Sequence, residues 1–278
     1  MVDNMKELML TANKIRQDVI EMLVEAGSGH SAGPLGMADV FTALYFNHAR
    51  INPKKPWDEN RDRIVLSNGH ICPVWYATLA ERGFFPVREL KTLRKINSRL
   101  QGHPHARELP GIENSGGPLG QGCNIGVGMA LAGKMDKKNW RVYALLSDGE
   151  LNEGCDWEAF MLAAKYELDN LCFIIDRNNI QIEGPSDKVM PLEPLKKKLE
   201  SFNLHVIEVN GNDFKQVLNA LEKAGKTKGM PTAIIAKTTP GKGVSFMEND
   251  YKWHGKPPNK EEAEKALKEL RRQRTELL

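Results

Sequence analysis

The sequence predicts an α/β fold: a doubly wound, mainly parallel sheet flanked by helices. Three observations carry this. Short apolar runs alternate with helix-period stretches along most of the chain. The two strongest runs, Trp140–Leu146 and Leu171–Asp176, are almost continuously apolar. Loops rich in small residues recur between these elements. A parallel sheet covered by helices on both faces buries both sides of each strand, so its strands read as unbroken apolar runs.

The elements follow in order. Residues 4–26 carry Leu8, Ile15, Val19, Leu23 and Val24 at helical spacing, and Gly27 is a natural stop. A small-residue loop, Gly27–Pro34, leads to a second helix whose apolar stripe opens at Ala38 and continues through Val40, Phe41 and Leu44. Arg63–Ser67 reads as a short strand. It ends in Ser67-Asn-Gly-His70, followed by a helix through Tyr76 and Leu79. Residues 101–120, rich in Gly, Pro and His, predict a long ordered loop, a length that usually signals function. A Gly/Ala-rich helix at 122–133 precedes the 140–146 strand. Further strands are read at 204–209 and 232–236, separated by a helix at 213–224. Residues 259–278 form a charged helical tail with Ala263, Ala266, Leu267 and Leu270 on one face, after a main domain at 1–258. In such sheets, ligands sit beyond the carboxyl ends of the strands. The loops at 27–34, 67–70, 116–122, 147–154 and 177–184 can all lie on that edge.

Bulk properties exclude several classes. With 39 basic and 36 acidic residues the net charge is +3, which gives no reason for a nucleic-acid or acidic-membrane partner. Four scattered cysteines without a C-x-x-C pair look like thiols in a reducing compartment. The charged N-terminus lacks a signal-peptide core and no apolar stretch approaches about 20 residues, so the expectation is a cytoplasmic protein.

The chemistry concentrates at two strand ends. Asp148-Gly149 follows one buried run, and Asn178 follows the next, thirty residues later. Asp148 can supply a carboxylate oxygen, Asn178 an amide oxygen and Ile180 a backbone carbonyl. Those are hard ligands of the kind magnesium shares with phosphate oxygens. Gly149 leaves room for a phosphate to approach the backbone. Either piece alone is an ordinary turn; together, in strand context, they suggest a diphosphate-bound cation. His30, His70 and His103 each lie in a small-residue loop, where imidazoles can serve proton transfer. They are 40 and 33 residues apart with no cysteine pair nearby, which argues against a zinc site. Gly116–Gly122 opens a helix whose backbone N–H groups could face an anion or a cofactor ring. It is a poor dinucleotide fingerprint, because no strand precedes it directly and Pro118 interrupts it.

In this order the pieces resemble the thiamine-diphosphate-dependent transketolases. The matching stretches are Gly27-Ser-Gly-His30, Ser67-Asn-Gly-His70 with Tyr76, Gly102-His-Pro104, Gly117–Gly122, Asp148–Gly154, Asp176–Gly184, Lys237-Thr-Thr239 and Trp253-His-Gly-Lys256. The resemblance covers nearly the whole chain and corresponds to the family's N-terminal, diphosphate-binding domain. It implies the thiamine-diphosphate-binding fold, with Asp148, Asn178 and the Ile180 carbonyl holding Mg2+ (or Ca2+ or Mn2+ in its place). It further implies that Gly149, Asn178, His70, Pro118, Leu119, Gly120 and Lys256 contact or approach the cofactor. His30, His103 and His254 would handle proton transfer and sugar hydroxyls. Ser147 and Ser31 stand where relatives usually have Gly and Pro.

A full transketolase continues into a pyrimidine-binding and a C-terminal domain. The resemblance therefore implies the N-terminal subunit of a split transketolase in the pentose phosphate pathway. It would move a two-carbon ketol unit from a ketose phosphate to an aldose phosphate, completed by a C-terminal subunit carrying the pyrimidine domain. The simplest assembly is a heterotetramer with two copies of each chain. Two alternatives stay open: a split synthase of the 1-deoxyxylulose-phosphate type, or another ketol transferase, and a non-catalytic remnant of the fold. The Ser-Asn-Gly-His…Tyr pattern favours transketolase over the synthase, and a remnant should have lost metal ligands or histidines.

Overall fold

A computed structural model of the chain describes residues 2–278, with side chains from Asn4 onward. Five strands form one sheet in the order β1-β2-β3-β5-β4, every pair parallel. They are β1 (Arg63–Leu66), β2 (Val142–Ser147), β3 (Leu171–Arg177), β4 (His205–Asn210) and β5 (Thr232–Lys237). β2 and β3 are buried at every residue, as their unbroken apolar runs require.

Alternate residues of each strand feed two separate cores. Tyr143, Leu145, Cys172, Ile174 and Ile234 join one, packed by α1 (Val2–Ala26), α2 (Ala32–Ala43), α3 (Cys72–Arg82), α8 (Phe214–Lys226) and α9 (Lys260–Leu277). Val142, Ala144, Leu146, Phe173 and Ile175 join the other, under α4 (Gln121–Met135), α5 (Gly154–Lys165) and α7 (Leu195–Ser201). This two-residue period across a sheet with helices on both sides is the doubly wound arrangement.

Two local readings are corrected. The second helix starts at Ala32, inside the stretch read as a loop, and every residue of it is buried, so there is no single apolar stripe. Pro34 is tolerated because a first-turn residue has no intrahelical N–H partner to lose. The short helix Ser186–Val189, here α6, and α7 were not anticipated. The tail is integral to the first core. Ala266 and Leu270 of α9 are fully buried, Asn13 of α1 donates to the Leu270 carbonyl at 3.0 Å, and Asn259 closes a capping box with Glu262. Among the described residues, no helix is long and apolar enough to cross a membrane.

Candidate active site

The strand register brings the two key turns together. Ser147 of β2 and Asp176 of β3 are partners, so the residues that follow them, Asp148 and Asn178, leave the sheet side by side at its carboxyl edge. Asp148 is fully buried. Its Oδ2 accepts from Arg177 Nη1 (2.8 Å) and Asn179 N–H (2.6 Å), and its Oδ1 from Gly149 N–H (2.7 Å) and Ser186 Oγ (3.3 Å). Burial raises its pKa while Arg177 and the backbone donors oppose that rise. Asn179 sits in the left-handed region at φ 59°, which asparagine tolerates, and this turns its N–H onto the carboxylate.

Asn178 is aimed by Asp176. The Asn178 amide Nδ2 donates to Asp176 Oδ2 at 2.7 Å, and its Oδ1 accepts a single donor, Ile180 N–H at 3.0 Å. Thr238 donates to the other oxygen of Asp176, whose carboxyl burial pushes up to about 7. The Ile180 carbonyl accepts no hydrogen bond among the described residues, though Ile180 is only 5% exposed. A carboxylate, an amide oxygen with a free lone pair and an unengaged carbonyl make a donor set that suits a hard divalent cation. Among the described residues no cluster of three or more His, Cys, Asp or Glu has metal-holding geometry.

Three histidines converge although the sequence separates them widely. Ring centroids lie 4.9 Å apart for His30–His70, 5.5 Å for His30–His254 and 5.3 Å for His70–His254. Burial first, then mutual repulsion, takes His30 down to about 4 and His70 well below the usual range. His254 and His103 are lowered too, both mainly by burial. The cluster is therefore neutral near pH 7, and the buried Nδ1 atoms of His30 and His254 have no partner among the described residues. Ser31 fastens the loop to the distant segment: its hydroxyl donates to the Lys256 carbonyl at 2.6 Å.

Glu150 is the least expected member. It is fully buried and accepts from Gly120 N–H (2.7 Å), Ser147 N–H (3.0 Å) and the Ser67 hydroxyl, which in turn receives Cys123 N–H (2.9 Å). One side chain thus ties the ends of β1 and β2 to the start of α4. Within the helix entry, the Gly120 and Cys123 N–H groups are thus engaged internally. Gly120, at φ 78°, is required there: a Cβ would lie 2.3 Å from Cys155 Sγ.

A cavity of about 170 Å³ opens between these groups, lined by His70, Leu119, Ser147, Gly149, Asn178, Ile180 and His254 among others. A larger cavity, about 620 Å³, is lined by Gly102, His103 and Gly116 among others. Of the residues singled out in the sequence, His70, Leu119, Gly149, Asn178, Ile180 and His254 line the smaller cavity and His103 the larger. Pro118 is exposed. Lys256 stands apart: its ammonium lies 3.9 Å from the Trp253 ring centroid and 2.7 Å from Glu262 Oε1, so only its backbone reaches the histidine loops. Sequence reasoning missed Glu150, Asp176 and Arg177 as organisers. It also missed Arg94, whose guanidinium packs on Gly102 and depresses His30 and His103. Charged residues at strand ends with no surface role were the available signal.

Comparisons with known proteins identify the family. The family model "Transketolase, thiamine diphosphate binding domain" matches residues 8–274. One subunit of the apulose-4-phosphate transketolase of Phocaeicola vulgatus is 42% identical over 95% of this chain and 93% of its own length. A 6-deoxy-6-sulfo-D-fructose transketolase subunit of a Clostridium species is 39% identical over 96% of this chain and 97% of its own. The crystal structure of Campylobacter jejuni transketolase superposes with a TM-score of 0.88 at 36% identity, covering 95% of this chain but 42% of that one. The chain spans nearly the full length of these subunits and under half of the single-chain enzyme, and it belongs to the transketolase family, as its thiamine-diphosphate-binding domain.

Proposed function

We propose that this chain is the N-terminal subunit of a split transketolase, transferring a two-carbon ketol unit from a ketose phosphate to an aldose phosphate. The observation that carries the reading is that Asn178, Ile180, His70 and His254 line one cavity, with Asp148 bonded to its Gly149 wall and His30 packed against its two histidines.

Thiamine diphosphate, when bound, supplies the nucleophilic carbon that carries the two-carbon unit between sugars. This chain's residues bind and orient. Asp148, Asn178 and the Ile180 carbonyl would hold Mg2+, or Ca2+ or Mn2+ in its place, which would neutralise a diphosphate. Gly149 would leave a phosphate room, and His70 and Leu119 would contact the cofactor. His30, His254 and His103, neutral at pH 7, accept or donate protons at the sugar's hydroxyl and carbonyl oxygens.

Size supports the need for a partner. A cavity of about 170 Å³ is below the roughly 300 Å³ at which sites for drug-sized ligands begin. This chain supplies one wall, and a C-terminal subunit with the pyrimidine domain supplies the other, most simply as two copies of each. The two related subunits are named for different sugars, so the sugar pair is left as a class: a ketose phosphate or similarly anionic ketose as donor, an aldose phosphate as acceptor. The test mixes the purified chain with its partner, cofactor and magnesium, and follows ketol transfer. Activity that requires both chains supports the proposal. A mixture that is inert towards every ketose phosphate and similarly anionic ketose, or active only with pyruvate, refutes it.

A further inference from the structure

The Asp148 carboxylate has no lone pair to spare. An ionised carboxylate offers about four acceptor sites, and Arg177, Asn179, Gly149 and Ser186 fill them. A divalent ion can join only if one donor leaves. The Gly149 and Asn179 donors are backbone N–H groups set by the two turns, and the Ser186 hydroxyl, at 3.3 Å, is a long neutral contact that can turn aside without relieving any charge. Arg177 is the one cation among the four, and it has another seat. Its Nη2 already contacts Asp187 Oδ1 at 2.5 Å and lies 3.4 Å from Glu193 Oε1. Those carboxylate side chains are 44% and 62% exposed, whereas Arg177's is 8% exposed. Guanidinium stays charged at any working pH, so it cannot vacate Asp148 by losing a proton; it has to move.

We propose that Arg177 is an internal cation guarding the metal seat: it holds Asp148 in the empty protein and yields to the metal by shifting its guanidinium wholly onto Asp187 and Glu193. This rests on the assignment of Asp148 as a metal ligand. Gln181 points the same way. Its amide lies across Gly149, where a Cβ would meet Nε2 at 2.8 Å, and its Oε1 is buried with no donor among the described residues. The loop after β3 thus covers both the cation and the phosphate positions. Metal alone then binds weakly, since it must displace a like charge from a buried carboxylate. The Asp187–Glu193 segment becomes part of the binding equilibrium, although neither residue touches the metal.

The test is the affinity of the full chain for Mn2+ alone, read by electron paramagnetic resonance without any activity assay. Arg177→Met removes the competitor and should tighten Mn2+ binding on the order of ten-fold. Asp187→Asn with Glu193→Gln removes the alternative seat, leaves Arg177 on Asp148, and should weaken binding by a similar factor. A purely structural Arg177 would lower affinity when it is replaced by Met and leave it unchanged in the double variant, whose substitutions lie at the surface. Equal affinities in wild type and a folded Arg177→Met protein overturn the proposal. If Arg177→Met fails to fold, the double variant decides alone, because its sites are at the surface, and an unchanged affinity there overturns the proposal too. Adding Asp148→Ala separates the two layers: binding that survives it sinks the ligand assignment itself, whereas binding that is lost while Arg177→Met has no effect sinks only the guard.

Discussion

Two glycines of one helix should respond to alanine with opposite signs. At Gly122, in the first turn of α4, a Cβ would lie 2.5 Å from Ser67 Cα, 2.8 Å from its Cβ and 2.9 Å from its N. Ordinary carbon contact begins near 3.5 Å, so α4 and the end of β1 must separate by about 1 Å. Two of the three obstacles are backbone and cannot rotate aside. Overpacking of this kind costs about 1–3 kcal/mol, and the alanine's better helix propensity returns up to about 1, leaving a net loss near 2 kcal/mol at the upper end. At Gly128, two turns along, nothing lies within 4 Å, and alanine should gain about 0.5–1 kcal/mol. Unfolding entropy of about 2.1 cal/mol/K per residue makes 1 kcal/mol worth roughly 2 °C in a chain of this length. Calorimetry should place Gly122→Ala about 3–4 °C below wild type and Gly128→Ala about 1–2 °C above it. Because Ser67 links Glu150 and Cys123, Gly122→Ala should also weaken thiamine diphosphate uptake by the assembled protein. Shifts of the same sign in both variants would refute the close-approach reasoning.

The other expectations can be stated briefly. Asp148→Ala and Asn178→Ala should each abolish metal-dependent thiamine diphosphate binding, measured by calorimetry with the partner chain present; unchanged uptake would remove the metal reading. His30 titrates near 4 when folded and 6.5 when unfolded, so the unfolded chain binds more protons between those values and stability is lost as pH falls through that window. The loss from His30 is roughly 2 kcal/mol at pH 5, and His30→Asn should flatten the slope of melting temperature against pH; an equal slope in the variant defeats the assignment. Asp156, fully buried with neither carboxyl oxygen hydrogen-bonded, is pushed up to about 8. Its contribution is present at low pH and lost as pH rises from 3.8 towards 8, so Asp156→Asn should gain roughly 5 kcal/mol at pH 8 and well under 1 kcal/mol at pH 4, with denaturant titrations at both pH values as the check.

The sheet was legible because physics writes it locally. The runs 142–146, 171–175 and 233–236 lie between two helical layers, where apolar residues are selected, and the polar residues of these strands fall at their ends. The turn at Asp148 was legible for the same reason, since a charged residue directly after such a run has few structural excuses. What was not legible depends on which distant segments meet. Nothing in the spacing of His30, His70 and His254 announces centroids about 5 Å apart. The loop containing His254 is brought there by Trp253, buried in the first core, and by Ser31 donating to Lys256. Glu150 stands in the sequence only as one residue of the Asp148–Gly154 stretch. Its role emerges only when the ends of β1 and β2 and the start of α4 are adjacent. The start of α2 was hidden by Gly33-Pro34, which reads as loop sequence but fits a helical first turn; the close contact of Gly33 with Ile71, 2.9 Å from a notional Cβ, explains the glycine.

The unsatisfied polar atoms show where the fold is waiting for a ligand. Among the described residues, buried side-chain atoms without a hydrogen-bond partner number ten, and five of them belong to the strand-end loops of the site: His30 Nδ1, His254 Nδ1, both polar atoms of Asn68, and Gln181 Oε1. Each such group costs on the order of 1–3 kcal/mol while it stays unpaired. Random packing faults would scatter over two cores and nineteen helical and strand segments, yet half of these gather at one edge of the sheet. The remaining five lie on Asp18 of α1, Asp156 of α5, and Arg141 and Asn170 at the opposite edge of the sheet. A chain that leaves its polar groups unpaired in one place has spent stability that only binding can restore. Ligand occupancy should therefore raise the melting temperature beyond what mass action at the metal alone provides. The excess should shrink when Asn68 is replaced by an apolar residue of similar size, because that replacement removes the unpaired groups from the empty protein and their partners from the loaded one.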